Sequence, residues 1–161
     1  MSPVANSAFS LLTNNISGRA PRLPDPSRLI VGDGWTAWRD PVMQRLESLI
    51  QLPQGWDGYG APPVGLEVVH FTLQMLKSIC PSDMVAPQIV PGVAGDLQVE
   101  WHTPSTTIEL HVRAPNSVAA WRQSPSVPDG EEFELTNDFV MVLEWVREML
   151  GDGSAAVATA A

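Results

Sequence analysis

Two neighbouring segments alternate strictly between apolar and polar residues, and this alternation constrains the fold more than any other feature. In DLQVEWH the apolar members are Leu97, Val99 and Trp101, and in TTIELHVR they are Ile108, Leu110 and Val112. Side chains two residues apart share one face of a strand, so each segment predicts a strand with one buried face. The intervening residues 103–106 suit a hairpin loop.

Three further short segments have strand character: QIV at 88–90, SVAAWR at 117–122 and EEFEL at 131–135. Helical periodicity flanks this run of strands. The first helix is predicted to take Asp40 as its N-cap and to end before Pro53. The second is predicted from about Pro63 to just before Pro81.

The third helix is predicted to begin at Thr136 or Asn137 and to end at Gly151. The residues predicted to be buried on the three helices are Val42, Leu46, Leu49 and Ile50; Leu66, Val69, Leu73 and Leu76; and Phe139, Val142, Leu143, Val146, Met149 and Leu150. The order of helices and strands predicts an α+β fold. We expect an antiparallel sheet of four to five strands with about three helices packed on one face.

The chain has 161 residues, which suits one domain with a real core. We assign that domain to residues 35–151, after a flexible or weakly docked arm over 1–34 with an apolar anchor at Phe9, Leu11 and Leu12. Residues 152–161 are predicted to be a disordered tail. The sequence has a single cysteine, no basic start followed by an apolar run and no membrane-length apolar stretch, so a cytoplasmic location is expected.

Acidic residues dominate the second part of the chain. Residues 57–161 hold fourteen acidic and four basic residues, within a net charge of -9 for the whole chain. Such a surface repels the phosphate backbone of nucleic acids, and it attracts a protein with a basic surface. The densest acidic segment predicts partner-binding residues at Glu131, Glu132 and Glu134.

The most distinctive motif is GWDGYGAPP at residues 55–63. Its glycines permit a tight backbone path, and its prolines stiffen the exit into the second helix. In one interpretation Trp56 and Tyr59 form an aromatic platform and Asp57 is an acceptor for a partner, a peptide or a sugar. In the other, the rings close the end of the core and Asp57 caps amides of its own turn.

This motif, a following helix, PQIVPG and LQVEWH together resemble a group of small bacterial proteins of uncharacterised function. Members of the group carry GWDGYGA and a later LEW-type strand. The resemblance covers roughly residues 40–150. It implies a compact bacterial domain, and it implies no catalytic residues because no activity is established for the group.

The polar face of the predicted hairpin carries Glu100, His102, Glu109 and His111. With Glu100 opposite His111, the four side chains could hold zinc or another divalent metal, or act as an acid and base pair. A register shifted by two residues would instead set Glu100 against Glu109 and separate these ligands. Histidine and glutamate are also ordinary residues of a solvated sheet face.

The sequence contains no phosphate-binding loop, no HExxH pair and no GxSxG elbow. We therefore predict a non-enzymatic acidic protein-binding module that needs no cofactor. It would be a bacterial or phage inhibitor, antitoxin, anti-defence or accessory factor that covers a basic surface of another protein, without contacting nucleic acid or membrane. The alternatives are a small metal-dependent hydrolase or lyase using the histidine and glutamate cluster, and carbohydrate binding by Trp56 and Tyr59.

Overall fold

The structure is a computed structural model that describes residues 37–159, with the side chains of residues 37–151. Its elements are α1 (Arg39–Leu49), α2 (Leu66–Ile79), β1 (Gln88–Pro91), β2 (Leu97–His102), β3 (Thr107–Ala114), β4 (Ser117–Ser124), β5 (Val127–Leu135) and α3 (Val140–Thr159). The predicted α+β class is confirmed, with five strands and three helices over this range. The predicted arm over residues 1–34 lies outside the described residues.

The five strands form one antiparallel sheet in chain order, β1-β2-β3-β4-β5. Short connections join each strand to its neighbour, as expected for strands that are adjacent in sequence. The predicted loop between β2 and β3 is confirmed, because His102 pairs with Thr107. Within it the Thr103 N–H donates to the Thr106 carbonyl at 2.8 Å, and the Thr106 N–H donates to Thr103 Oγ1 at 2.9 Å.

One face of the sheet is buried against the helices. The six alternating apolar residues of β2 and β3 are at most 5% exposed, and they share one core with side chains from all three helices. Their polar neighbours alternate onto the other face, which no helix of the described range covers. We call this second face the open face. It carries Gln98, Glu100, His102, Glu109, His111, Ala119, Trp121, Glu132 and Glu134.

Two helices begin at other residues than the sequence predicts. In α1 the N-cap is Trp38, so Asp40 lies in the first turn, where its charge favours the positive end of the helix dipole. In α3 the cap is neither Thr136 nor Asn137. The Asp138 carboxylate instead accepts the Val140 N–H at 3.0 Å, which satisfies a backbone donor at the start of the helix.

The end of α3 also differs from the prediction. The helix continues through Gly151 to Thr159, so it includes most of the segment assigned to a tail. Glycine costs about 1 kcal/mol within a helix, and alanine is the best helix former. The alanines that follow Gly151, at 155, 156 and 158, therefore favour continuation over termination.

Most residues predicted to be buried on the helices are confirmed, but Leu66 and Leu150 are 47% and 37% exposed. Ile50 and Leu143 are only partly buried. A helix turns by about 100° per residue, so Leu66 lies about 80° around the helix axis from the fully buried Leu76. This places Leu66 at the margin of the buried face of α2. Val68, which was not predicted, is buried in the first turn of α2 together with Val69.

Candidate functional site

A single carboxylate holds the loop of residues 54–63, which we call the Tyr59 loop. Asp57 Oδ1 accepts the backbone N–H groups of Tyr59, Gly60 and Ala61 at 2.9, 3.0 and 2.9 Å. Asp57 therefore caps its own turn, as the second interpretation of this motif predicts. The hydrogen bond from Ala61, followed by that from Tyr59, lowers the pKa of Asp57 because these donors favour the ionised carboxylate.

Three glycines give the Tyr59 loop its path. Gly55, Gly58 and Gly60 have φ angles of 77°, 82° and 102°, a region that only glycine enters without strain. The Gly55 N–H donates to the Ala61 carbonyl at 2.8 Å, and the Gly58 N–H donates to the Gly55 carbonyl at 2.9 Å. The loop thus has internal partners for its backbone and a defined shape.

The two aromatic residues of the loop have different surroundings. Trp56 is partly buried, and its Nε1–H donates to the Pro62 carbonyl at 3.1 Å. Tyr59 is 98% exposed. The structure therefore ties Trp56 to the exit of the loop and presents Tyr59 to solvent.

Acid is expected to loosen this loop, because protonating Asp57 removes the charge that its three N–H donors favour. The folded pKa lies below the ordinary 3.8, so the stabilisation is complete above 3.8 and is lost as the pH falls through the lower folded value. Amide hydrogen exchange measures how far the loop loosens. Asp57→Ala should speed exchange at residues 59–61 by about tenfold or more at neutral pH.

Asp57→Asn is the matched control for this prediction. Its amide oxygen still accepts hydrogen bonds, so we expect most of the protection to remain and its dependence on acid to disappear. Unchanged exchange in Asp57→Ala would contradict the role of this carboxylate.

The register of β2 and β3 differs from the one that would build a metal site. Glu100 lies opposite Glu109, Gln98 opposite His111 and His102 opposite Thr107. Of the two registers that the sequence leaves open, the one shifted by two residues is formed, so Glu100 does not pair with His111. Both registers bury the same apolar residues, so the compact turn at residues 103–106, with its internal hydrogen bonds, accounts for the difference.

The four histidine and glutamate residues form no common site. His102 Nε2 lies 3.0 Å from Glu100 Oε2 on the same strand. His111 Nε2 instead contacts the carboxylate of Asp96. Over residues 37–159, no group of three or more histidine, cysteine, aspartate or glutamate side chains is arranged to hold a metal ion.

Asp96 is a site residue that the sequence analysis missed. It is 7% exposed, and its Oδ1 accepts the Ala94 N–H at 3.0 Å. Burial acts to raise the pKa of Asp96, but the hydrogen bond from His111, with backbone hydrogen bonds and the charge of His111, leaves it lowered. The sequence signal for Asp96 is the glycine at position 92 of PGVAGD. The structure explains this glycine, because a Cβ at Gly92 would overlap the Asp96 carboxyl group.

The observed register builds a continuous row of side chains across the open face. Glu100 pairs with Glu109, Glu109 with Trp121, and Trp121 with Glu132. A shallow groove of about 370 Å³ lies along this row. Its lining residues are Gln98, Glu109, His111, Ala119, Trp121 and Glu132, and we call it the Trp121 groove.

Trp121 is the aromatic member of this groove and was not predicted as a site residue. Its ring packs over Gly130, where an added Cβ would lie 2.8 Å from ring atoms. Gly130 has a φ of 76°, so the backbone of β5 makes room for the indole. The position of Trp121 on the open face follows from the alternation of β4. Val118 and Ala120 are buried on the helix side, so Trp121 lies on the opposite face.

The acidic segment of β5 divides between different surroundings. Glu131 accepts the Arg122 Nε–H at 2.5 Å on the helix side of the sheet. Glu134 accepts from Arg113 Nη2 at 2.5 Å. Of the three predicted partner-binding glutamates, only Glu132 has no ion pair with another described residue.

Comparison of the chain with protein-family models, with curated proteins and with solved structures gives no match in any of the three. The resemblance to bacterial proteins with a GWDGYGA loop therefore stays a prediction. Among the residues that the structure describes, no helix has the length and apolar character of a membrane span.

Proposed function

We propose that the protein is a non-enzymatic protein-binding module whose open face recognises a basic surface of a partner protein. The observation that carries this proposal is the row in which Trp121 lies between Glu109 and Glu132. A guanidinium group stacks on an indole ring and donates to carboxylates in the same plane. An arginine of the partner therefore has the chemistry that the Trp121 groove accommodates.

The charge balance of the open face supports a cationic partner. Glu100 and Glu109 are directly opposed, and like charges in that position destabilise a sheet. Glu100 has His102 beside it, whereas Glu109 receives one long hydrogen bond, from Gln98 Nε2 at 3.3 Å. A positive group from a partner would relieve this repulsion.

The Tyr59 loop supports the proposal as a second contact. Tyrosine is enriched among the residues that contribute most to protein interfaces, and a loop with a preformed shape loses little entropy on binding. The Gly65 N–H donates to the Gly95 carbonyl at 3.0 Å, which joins the exit of the loop to the turn before Asp96. Asp96 in turn contacts His111 in the Trp121 groove.

A peptide of repeated Arg–Gly dipeptides provides a defined probe for the full chain. Binding is followed by NMR of the backbone amides, which should shift at Glu109, Trp121 and Glu132. We expect Glu109→Gln with Glu132→Gln to weaken binding about tenfold, which corresponds to about 1.4 kcal/mol. Glu131 and Glu134 are unsuitable for this purpose, because their substitution breaks ion pairs within the protein.

The matched control is Glu47→Gln with Glu144→Gln, which removes two charges from α1 and α3. It should leave the affinity nearly unchanged, while added salt should weaken binding to every variant. Equal weakening by both double variants, or shifts confined to residues outside the groove, would contradict the proposal.

The same pair of double variants identifies the physiological partner. A protein retained from a native lysate by the wild type and the control, but lost with Glu109→Gln and Glu132→Gln, should carry a basic surface. Measuring that protein's own activity with and without this chain distinguishes an inhibitor or antitoxin from an accessory factor. An unaltered set of captured proteins would argue against the open face as the interface.

A further inference from the structure

An apolar groove opens between the segment before β1, the end of β2 and the middle of α3. Its volume is about 520 Å³. The apolar lining consists of Met84, Val85, Ala86, Trp101, Met149 and Leu150. We call it the Val85 groove. Its polar lining residues are Gln88, Glu100, His102 and Thr103, so it lies at the end of β2, next to the open face.

The Val85 groove concentrates exposed apolar surface. Val85 is 79% exposed and Leu150 is 37% exposed, and both are among the few large apolar side chains of the described residues that face solvent. Single exposed apolar residues are common, but an apolar concavity of this size is typical of a surface that another segment covers.

The described chain begins beside this groove. The Ala37 N–H donates to the Ser82 carbonyl at 2.8 Å, and Ser82 is two residues before Met84. The sequence holds 36 residues before Ala37, including the aliphatic run Leu29–Val31. Between this run and Ala37 lies Gly-Asp-Gly at residues 32–34, whose composition suits a reversal of chain direction.

We propose that Leu29–Val31 of this same chain dock in the Val85 groove. From Ile30 to Ala37 the chain can span at most about 23 to 25 Å, and the three residues from Ser82 to Val85 span at most about 11 Å. Because Ala37 is bonded to Ser82, the run can reach the groove even with a turn at residues 32–34. Because the segment is tethered, its effective concentration at the groove is on the order of millimolar, so a modest apolar contact suffices for occupancy. The aliphatic run supplies the side chains that match the apolar lining.

Disulfide trapping tests this placement in the full chain. Ile30→Cys is combined with Val85→Cys, and the control combines Ile30→Cys with Val93→Cys. Val93 is also exposed, at 68%, and it lies in the turn at the other end of β1. Burial raises the pKa of the native Cys80 thiol to about 12, and both pairs are made with Cys80→Ser so that only the introduced thiols react.

We expect the Val85 pair to cross-link at least about tenfold faster than the Val93 pair, with a monomeric product. Equal rates would overturn the proposal. A dimeric product would also overturn it, because it would place the segment of a second copy in the groove.

Hydrogen exchange gives a second measurement without new cysteines. Changing Leu29, Ile30 and Val31 together to serine should speed exchange at residues 84–86 by about tenfold. The matched control changes Phe9, Leu11 and Leu12 to serine. In this variant, exchange at residues 84–86 should equal that of the wild type. Unchanged exchange in the first variant, or the same increase in both, would contradict docking by Leu29–Val31.

Discussion

Leu110→Ala is expected to lower the free energy of unfolding by about 3 to 4 kcal/mol. Leu110 is 0% exposed at the centre of β3, where it pairs with Val99 on one side and with Ala120 on the other. Truncation removes buried apolar surface and leaves a cavity that strands paired on both sides cannot collapse to fill. Urea unfolding followed by far-UV circular dichroism measures the loss.

The matched control for this prediction is Leu66→Ala, the same truncation at a leucine that is 47% exposed. It should cost less than about 1 kcal/mol, because little surface leaves the core and alanine is the better helix former. Equal losses at the two leucines would contradict the assignment of β3 to the centre of the core.

Gly130→Ala is expected to lower the free energy of unfolding by about 2 to 3 kcal/mol. About 1 to 2 kcal/mol of this arises because a residue with a Cβ is strained at positive φ, and Gly130 has a φ of 76°. The remainder arises because the new methyl group would lie 2.8 Å from the Trp121 ring and must displace it. We therefore also expect changed tryptophan fluorescence and weaker binding of the Arg–Gly peptide.

Gly58→Ala separates these two contributions. Its φ of 82° is similar, but nothing lies within 4 Å of the added Cβ. It should cost about 1 kcal/mol, from backbone strain alone. If the two alanine variants lost the same stability, the indole would not pack over Gly130 as described.

The fold was predictable from the sequence because it depends on periodicity. Alternation assigns each side chain of β2 and β3 to a face, whichever residue lies opposite on the next strand. The register was not predictable in this way, since pairings that differ by two residues leave those faces unchanged. Hydrogen bonds between Thr103 and Thr106 in the connecting turn accompany the pairing that forms.

The candidate site was less predictable because its members meet through that register. Asp96 and His111 are fifteen residues apart, and Trp121 joins Glu109 and Glu132 only once three strands are paired. Asp57 shows a second reason why the site was hard to predict. The motif left its role open between binding and capping. Three backbone N–H groups that point at Oδ1 show that Asp57 caps its own turn, and its binding to a partner stays a prediction.

The outermost strands of the sheet also bear on self-association. An unpaired strand edge is a template for adding the same strand of another copy, which leads to aggregation. β1 has only four residues and ends in Pro91, which lacks a backbone donor. At the opposite edge, β5 contains Pro128 and alternates Glu131 and Glu132 onto both sides. Both edges therefore disfavour edge-to-edge pairing with the sheet of an identical copy, and the negative charges on β5 repel the same strand of a second copy.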